Sequence, residues 1–477
     1  MSMTLRISLS WLVVMTLSCG SAQEPISTDD RPNIVLITLD TTRADHLGTY
    51  GYFRDTSPRF DAFAKQAITF DRAVAPVATT LPSHLSILTS SHPLEHGVLA
   101  NTTQGGERFV PAPELVSFSM VAEAAGYATG AFVSATPLKR GSGIEVGFGL
   151  FDQPTGKQRH GEDTVAAALE WLGSLPPGQP FFLWVHFYDA HFPFEPRAPY
   201  RGRYQLDAGL EAFIAEREIH PTAPRSLVGL VDTARSTTNA YDAELAYQDA
   251  QLGRLLDALR DRGPREWDRT AVVVTADHGE GLCQHGEAAH GSTWEEQLRI
   301  PLAMRIPGEA PRRLDTLLTS ADILPTLLPR LGVTDFEPFL AKALGSDVLS
   351  ADFQPTPVLS QDTSRVRDEP FKYALTADGF KYFRVEHRSG RVDEWLFDLQ
   401  VDPYELRDVA GTHTEVLGRM RTSLVTMIAE REARGVSLRA GAATVATEET
   451  DPELLRELCA LGYLDPERCE SLASEEP

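Results

Sequence analysis

The chain of 477 residues carries 67 acidic and 44 basic side chains, which gives it a formal net charge of −23. Because a single hydrophobic core stops growing at about 250–300 residues, this length predicts one large domain with a smaller one. The acidic balance argues against nucleic acid as a main partner, since that binding depends on Lys and Arg side chains that neutralise phosphates.

Residues 1–22 have the pattern of an export signal. Arg6 gives a short basic start, residues 7–17 form an apolar stretch, and small residues follow. The stretch is too short to act as a membrane-spanning anchor. Two processing outcomes stay open: cleavage after the small residues 20–22, or a lipoprotein signal in which Cys19 carries the lipid. Both predict an extracytoplasmic location, whether periplasmic, secreted or lipid-anchored to the envelope, with membrane contact only through that lipid.

Near-continuous apolar runs bounded by turn or helix signals recur through the larger part of the chain. Such runs are typical of strands buried on both faces, as in parallel sheets that helices cover. Between two of them, Leu245, Leu252 and Leu256 repeat at helical spacing. Alternating strands and helices predict an α/β sandwich, which we assign to a catalytic domain of residues 31–345. The five runs are residues 34–39, 131–133, 181–187, 271–275 and 300–306.

The pattern changes after about residue 355 to shorter and more polar strand-like pieces, followed by a helix near residues 415–431. This change predicts a small C-terminal α+β subdomain, residues 346–440. Residues 441–449 are small and polar, so we expect a link to one last helix within a tail of residues 441–477.

Cysteine use follows from the predicted export. An oxidising compartment allows Cys459 and Cys469 in the tail to pair, which leaves Cys283 as a lone thiol. Cys283 also stands with His285 and His290 at a spacing suited to a closed zinc site, but the neighbouring glycines fit an open loop better. We therefore expect His285 and His290 to contact substrate or other site residues.

Ionisable residues lie at the ends of three of the predicted strands. In open α/β sheets, ligands bind beyond the carboxyl ends of strands, so these residues are expected to converge on one crevice. A single Asp after a strand is often a helix N-cap, but three coincident cases favour a site. Converging carboxylates need a cation, and oxygen with imidazole ligands suits Zn, Mn, Mg or Ca alike. The residues are Asp40 after the first run, His186, Asp189 and His191 at the end of the third, and Asp277 with His278 after the fourth.

Thr80 is a further candidate because it stands two residues before Pro82. Pro fits the first turn of a helix, so the Thr80 hydroxyl is expected at a helix N-terminus, where backbone N–H groups attract anions. Two interpretations stay open. Thr80 is an ordinary N-cap, or it is a nucleophile whose hydroxyl pKa a metal ion lowers.

Four motifs in a fixed order resemble the sulfatase branch of the alkaline-phosphatase superfamily. The resemblance implies a large mixed, mainly parallel sheet between helices, a small C-terminal antiparallel sheet with a helix, and hydrolysis of sulfate or phosphate esters at a divalent metal ion. It also implies that Asp40, Asp277 and His278 bind the metal. Thr80 takes the position of the nucleophile and also faces the metal, and His191 resembles a histidine that contacts the transferred anion or the leaving group. The motifs are NIVLITLDTTRADHLGTYGY, TLPSHLSILTS with HPLEHGV, TADHGEGLCQHGE and FDLQVDPYELRDV.

The sequence departs from that family in the cationic part of the site. Sulfatases carry a Cys or Ser that is oxidised to formylglycine where Thr80 stands, and an Arg where His84 stands. When the motifs are matched to that family, Ser134 and His290 fall near the positions of two lysines that the family carries. A Thr ester has to be released by attack at phosphorus or sulfur, and Thr nucleophiles occur in related phosphodiesterases and phosphoglycerol transferases. We therefore favour phosphate or phosphonate esters over sulfate esters as substrates.

The resulting hypothesis is a metal-dependent hydrolase whose partner is an anionic ester. The alternatives are a sulfuric ester hydrolase without formylglycine, a phospho-group transferase, and a metal- or anion-binding relative without turnover. We expect one metal ion rather than two, because a second site of Asp189, His191 and His285 or His290 does not reproduce the phosphodiesterase spacing. In the predicted mechanism Thr80 attacks, His191 protonates the leaving oxygen, and a histidine or water assists release of the ester. The predicted catalytic residues are Thr80, His191, His84 and His290.

Overall fold

The computed structural model describes residues 30–103, 105–218, 234–363, 370–441, 446–460, 464 and 466–474. The predicted export signal with Cys19 lies outside these residues and stays a prediction. Within the described part of the chain, no helix combines the length and the apolar character that crossing a bilayer requires.

Strands and helices alternate along the first part of the chain. The strands are β1 (Asn33–Leu39), β2 (Ile68–Val74), β3 (Arg108–Phe109), β4 (Ala128–Phe132), β5 (Leu150–Asp152), β6 (Phe181–Phe187), β7 (Thr270–Ala276), β8 (Arg299–Arg305), β9 (Arg312–Thr319), β10 (Val358–Gln361), β11 (Phe371–Ala377), β12 (Phe380–Glu386), β13 (Val392–Asp398) and β14 (Thr447–Glu448). The helices are α1 (Pro58–Ala64), α2 (Thr80–Thr89), α3 (Pro93–His96), α4 (Phe118–Ala124), α5 (Gly161–Ser174), α6 (Ala208–Glu216), α7 (Ala234–Asp261), α8 (Pro264–Asp268), α9 (Glu295–Leu298), α10 (Ile323–Leu327), α11 (Glu337–Leu340), α12 (Thr414–Leu438), α13 (Pro452–Ala460) and α14 (Pro466–Ser474).

The main sheet has eight strands in the order β5-β4-β6-β1-β7-β8-β2-β9. β1 lies inside the sheet and pairs in parallel with β6 on one side and β7 on the other. β8 runs antiparallel to both β7 and β2, so the sheet is mixed. The predicted large, mixed and mainly parallel sheet is thus confirmed.

Helices cover both faces of this sheet, which explains why its inner strands are apolar along their whole length. Ile34 and Leu36 of β1 belong to a core that includes side chains of α2, α4 and α10. Val35 and Ile37 point the other way into a core that includes side chains of α1, α5 and α7. Successive side chains of a strand alternate between faces, so a strand with a core on each side needs apolar residues at every position.

The C-terminal part forms a second, antiparallel sheet of β10, β11, β12 and β13. α12 packs on it through Met420 and Leu424. α12 also contacts the first part of the chain, because Arg431 and Arg434 pair with the buried Glu95 of α3 at 3.2 and 2.7 Å. The predicted small antiparallel sheet with a helix is confirmed, and the exact domain boundaries stay predictions.

The tail is attached at two places. β14 pairs antiparallel with β3, and Glu457 of α13 holds the ammonium group of Lys139 at 2.5 Å. Cys459 and Cys469 form a disulfide that links α13 to α14, while Cys283 is buried and unpaired. Both expectations for the cysteines are confirmed.

Candidate active site

The carboxyl ends of the adjacent strands β6, β1 and β7 form the centre of the candidate site. Asp40 follows β1, and its backbone N–H donates to the Phe187 carbonyl oxygen of β6 at 2.9 Å. Asp277 and His278 follow β7, and the parallel register places them beside Asp40. One ligand atom from each of Asp40, Asp277 and His278 lies within 4.8 Å of the other two. Among the described residues, this is the single group of His, Cys, Asp or Glu side chains so arranged.

Local hydrogen bonds aim one atom of Asp277 and one of His278 at this centre. Asp277 Oδ1 accepts from the backbone N–H groups of His278 at 2.9 Å and Thr41 at 3.3 Å. His278 Nδ1 lies 2.9 Å from the Gly279 carbonyl oxygen, so it carries the proton and donates. Asp277 Oδ2 and His278 Nε2 therefore remain to bind another group.

Thr80 is the first residue of α2, as Pro82 in the first turn predicts. The Asn101 side chain closes this turn by accepting from the Leu81 N–H at 2.9 Å. Ser83 donates to the Asp277 carbonyl oxygen at 2.7 Å, which ties α2 to the end of β7. The Thr80 hydroxyl lies beside the Asp40 carboxyl.

Four buried atoms in this centre have no hydrogen-bond partner within the described structure. Leaving a buried polar atom unpaired costs about 1–3 kcal/mol, so four together indicate a missing ligand. Burial raises the pKa of Asp40 to about 8 and that of Asp277 well above its usual range, and the neighbouring Asp40 charge raises the pKa of Asp277 further. Oxygen and imidazole donors in this arrangement fit a divalent metal ion. The atoms are Asp40 Oδ1, Thr80 Oγ1, Asp277 Oδ2 and His278 Nε2.

His186 orients Asp40, a role that the sequence does not reveal. The backbone N–H of Ser134 donates to His186 Nδ1 at 3.2 Å, so the ring proton is on Nε2. Nε2 donates to Asp40 Oδ2 at 3.0 Å, which leaves Oδ1 for the centre. Burial lowers the pKa of His186 to about 3, so the ring is neutral.

His84 is held on both sides of its ring. Nδ1 donates to the Thr80 carbonyl oxygen at 2.7 Å, and Nε2 accepts from the Thr38 hydroxyl at 3.0 Å. The Thr38 oxygen in turn accepts from Trp184 Nε1 at 3.0 Å. With both nitrogens engaged, the geometry favours a positioning role for His84 over the predicted catalytic one.

His191 and His290 lie beside the ring of His278. The centroid of the His290 ring is 4.4 Å from that of His278 and 5.1 Å from that of His191. His290 Nδ1 lies 3.4 Å from a carboxylate oxygen of the buried Glu280. Burial opposes a charge on His290, but Glu280 and the site carboxylates outweigh it and raise its pKa. His191 Nδ1 donates to the Phe192 carbonyl oxygen at 2.5 Å, and burial lowers its pKa.

Comparison with known proteins identifies the family. A family model described as Sulfatase matches residues 32–333, more than half of the chain. The chain belongs to the sulfatase family. An arylsulfatase of Clostridium perfringens is 24% identical over 465 residues, which cover 84% of this chain and 95% of that protein.

Solved structures of two related proteins show the same fold as this sulfatase-family chain. The phosphonate monoester hydrolase of Agrobacterium radiobacter matches with a TM-score of 0.64 at 20% identity, covering 84% of this chain and 96% of that one. A 2-O GAG sulfatase matches with a TM-score of 0.65 at 18% identity, covering 89% and 96% of the two chains. The family assignment makes this protein a sulfatase-family ester hydrolase, and the family typically binds a divalent metal.

Two of the residues considered for a second metal, Asp189 and His285, have other partners in this sulfatase-family protein. Asp189 accepts from the Gly161 N–H at 3.0 Å and so caps the N-terminus of α5. His285 pairs with Glu296 at 3.0 Å and stacks on Trp294 at 3.9 Å. Asp189 and His285 are therefore not oriented towards a second ion, and the expectation of one metal ion stays a prediction. This arrangement does not support the closed zinc site with Cys283 either.

Arg43 braces the turn after Asp40 through an ion pair with Asp45 at 2.9 Å. The same guanidinium group also donates to the Glu280 carbonyl oxygen at 3.2 Å and to Gln284 at 2.9 Å. Arg43 therefore joins the β1 turn to the loop that carries His290 in this sulfatase-family site.

Proposed function

We propose that this sulfatase-family protein hydrolyses phosphate or phosphonate esters through an unmodified Thr80 nucleophile. The observation that carries the proposal is the Thr80 hydroxyl, buried without a hydrogen-bond partner among the unpaired atoms of Asp40, Asp277 and His278. A Thr side chain offers no route to the formylglycine aldehyde, so its ester has to be released by attack at the central atom.

Asp40, Asp277 and His278 are the residues that hold the divalent cation in this proposal. Once bound, the cation offsets the charge of the carboxylates, favours ionisation of the Thr80 hydroxyl and stabilises negative charge on the transferred group. The donor set does not choose among Ca, Mn, Zn and Mg.

In the first step the Thr80 oxygen attacks phosphorus in line with the leaving oxygen. The bond from Thr80 Oγ1 to phosphorus forms, and the bond from phosphorus to the leaving oxygen breaks. The Thr80 proton passes to a neutral imidazole, and His191 suits this because its Nδ1–H is committed to Phe192 and Nε2 is its acceptor. His290, with Nδ1 beside Glu280, suits donation of a proton to the leaving oxygen. These hydrogen bonds favour His290 over His191 as the proton donor.

The second step mirrors the first. Water attacks the phosphorus of the Thr80 ester and gives one proton to His290, while the proton held by His191 returns to Thr80. Phosphate or phosphonate leaves, and both histidines regain their starting state. If an alcohol attacks in place of water, the protein is a phospho-group transferase. That alternative has the same first step.

Four nitrophenyl esters, a phosphate, a phosphodiester, a phosphonate and a sulfate, test the proposal when each is assayed with Ca, Mn, Zn and Mg. We expect turnover of a phosphorus ester and a loss of about 10³-fold or more in Thr80→Ala, because the nucleophile is removed. Thr80→Ser keeps a hydroxyl and should retain part of the rate. Thr79→Ala is the matched control, since the Thr79 hydroxyl donates to the Ala78 carbonyl oxygen at 2.7 Å.

Activity that survives Thr80→Ala contradicts the nucleophile assignment. A sulfate ester that is turned over much faster than the three phosphorus esters contradicts the substrate class and supports the second candidate, a sulfuric ester hydrolase. That candidate has the support of the arylsulfatase relative of Clostridium perfringens. Turnover of none of the four esters, with cation binding intact, points to a relative that binds anions without catalysis.

A further inference from the structure

Arg159 is connected through Ser134 to His186, the histidine that orients Asp40. Its backbone N–H donates to the Ser134 carbonyl oxygen at 3.0 Å, and the neighbouring residues Ala135 and Gln158 form a β-bridge. Ser134 contacts His186 twice, through its N–H to Nδ1 at 3.2 Å and through its hydroxyl to the carbonyl oxygen at 2.7 Å. The segment with Arg159 is therefore fixed against the candidate active site.

The guanidinium group of Arg159 has one edge without a partner. Nη1 pairs with Asp152, at the end of β5. Nε and Nη2 are buried and have no hydrogen-bond partner within the described structure. These two nitrogens lie on the same edge of the planar guanidinium group, and together they match two oxygens of a carboxylate, phosphate or sulfate group.

Two buried N–H groups without acceptors are costly, so this edge of the guanidinium group is suited to bind an anion. Two basic side chains nearby, those of Lys139 and Arg140, do have partners. The ammonium group of Lys139 is held by Glu457 at 2.5 Å. The exposed Arg140 donates to the Phe151 carbonyl oxygen at 3.1 Å and stacks on the ring of Phe151.

The order of the strands places Arg159 to one side of Asp40, towards the edge strand β5 and away from the position of the transferred group. Ser134 follows β4, which is two strands away from β1 and Asp40. At about 4.8 Å for each strand, this separation is about 10 Å across the sheet. The Arg159 side chain is 15% exposed, so it lies close to the surface on the side of the edge strand β5. Its charge still acts on His186, whose pKa is lowered by burial and then by Arg159.

We propose that Arg159 binds a second anionic group, carried by the leaving part of the ester, with its Nε and Nη2 atoms. This inference rests on the proposed function and narrows its substrate class to esters of acidic alcohols. The shared chemistry is an oxyanion with two oxygens, whether carboxylate, phosphate or sulfate. Arg159 is thus a specificity-determining residue rather than a part of the metal centre.

The test compares carboxyphenyl phosphate with carbamoylphenyl phosphate, which has the same shape without the second charge. If a phosphonate is the better substrate, the corresponding phosphonates replace them. We expect wild type to prefer the carboxylate ester in kcat/KM. Loss of a paired hydrogen bond to a charged group reduces binding by about 10–100-fold, so Arg159→Gln should lower this preference by that factor. Intrinsic differences between the two leaving groups cancel when the same ratio is compared between variants.

Two further variants sharpen the test. Arg159→Lys keeps the charge but loses the two-nitrogen edge, so it should retain only part of the preference. Arg140→Gln is the matched control on a neighbouring exposed arginine and should leave the ratio unchanged. Carboxyphenyl phosphate, sulfophenyl phosphate and phosphorylated phenyl phosphate then rank the three kinds of anion on the same transferred group.

An unchanged ratio in a folded Arg159→Gln variant overturns this inference and leaves the proposed function intact. Equal losses on both esters overturn it too, because they place Arg159 on the transferred group. If wild type hydrolyses no phosphorus ester, the proposed function fails and this inference fails with it. Circular dichroism and thermal unfolding establish that each variant is folded, and Arg159→Lys serves if Arg159→Gln is not.

Discussion

Hydrogen bonds determine which atom of each buried side chain faces the candidate metal centre. His186 has Nδ1 occupied by the Ser134 N–H and therefore donates from Nε2 to Asp40 Oδ2. This contact fixes the carboxylate with Oδ1 towards Asp277. Partners of this kind orient metal ligands and raise their affinity for the ion.

Replacing His186 should weaken cation binding without touching a ligand. We expect His186→Ala to lower the affinity for a divalent cation by about 10–100-fold, because Asp40 loses the donor that orients it. His186→Gln keeps an N–H donor and should lose less. Calorimetric titration of the chelated protein measures this affinity without requiring turnover.

His96 provides the control for that prediction. It is a second buried histidine whose pKa burial lowers to about 3, and its ring accepts from the Val98 N–H at 3.1 Å and contacts Ser86 at 3.1 Å. His96→Ala opens a comparable cavity but should leave cation affinity near that of wild type. Equal losses in the two alanine variants mean that His186 acts through packing and contradict an orienting role.

The sequence predicts which residues meet at the centre better than it predicts what each does. Asp40, Asp277 and His278 stand out because each directly follows a strand, and their convergence then follows from the sheet. His84 Nε2 accepts a hydrogen bond from the hydroxyl of Thr38, which lies far away in the sequence. The spacing of residues along the chain does not reveal such a contact. The three-dimensional structure is therefore needed to tell which histidines orient other residues and which take part in the reaction.

At the scale of elements, apolar runs predict strands well where a core lies on each side. The predicted run at residues 181–187 coincides with β6. The run at 34–39 lacks the first residue of β1, and the run at 271–275 lacks one residue at each end of β7. β2 and β9 were not predicted. β2 contains Asp71 and Arg72, and β9 is an edge strand whose first half is largely exposed. Strands of that kind lack the continuous apolar pattern.

Asp249 of α7 joins two elements by closing the N-terminus of α1. Its carboxyl oxygens accept from the backbone N–H groups of Arg59 and Phe60, each at 2.8 Å. Burial nevertheless raises its pKa from 3.8 to about 7. As the pH rises through this interval, the unfolded chain releases the proton and the folded protein keeps it. The contribution of Asp249 to stability is therefore full at low pH and is lost towards about pH 7.

The Asp249→Asn variant should lack this pH dependence. Relative to the variant, wild type should lose about 1.4 kcal/mol of unfolding free energy for each pH unit between about pH 4 and pH 7. Denaturant unfolding of both proteins at several pH values measures the difference. Asp257→Asn changes an exposed carboxyl on the same helix and is the control. Parallel pH profiles for wild type and Asp249→Asn contradict the prediction.

At the scale of the whole molecule, folding assembles a centre that no single segment contains. The proposed ligand residues come from turns after β1 and β7, and Thr80 comes from the start of α2. Motif order along the chain predicts this assembly and the small second sheet. It does not predict how the tail is attached, since the contact of Glu457 with Lys139 joins surfaces without a motif. Because the centre buries two carboxylates, cation binding and folding stability are coupled.

Removal of the cation should therefore destabilise the protein, and Asp277 should control the effect. Without a cation, the folded protein at neutral pH has to hold protons on buried carboxylates whose pKa values burial has raised. A cation at 100 times its Kd adds about 2.7 kcal/mol to the free energy of unfolding. The increase should grow with pH, because protons compete with the cation for the same oxygens.

Asp277→Asn separates the cost of the buried charge from the gain on binding. The amide keeps the Oδ1 acceptor for His278 and Thr41 but has no charge. The chelated variant should melt at or above the temperature of chelated wild type, yet gain little on addition of the cation. Asp322→Asn is the control, since burial raises the pKa of that distant carboxyl to about 6 and its partners are the N–H groups of Thr319 and Ser346. An equal rise in Tm for wild type and Asp277→Asn, measured by calorimetry after chelation and re-addition, shows that the cation binds elsewhere.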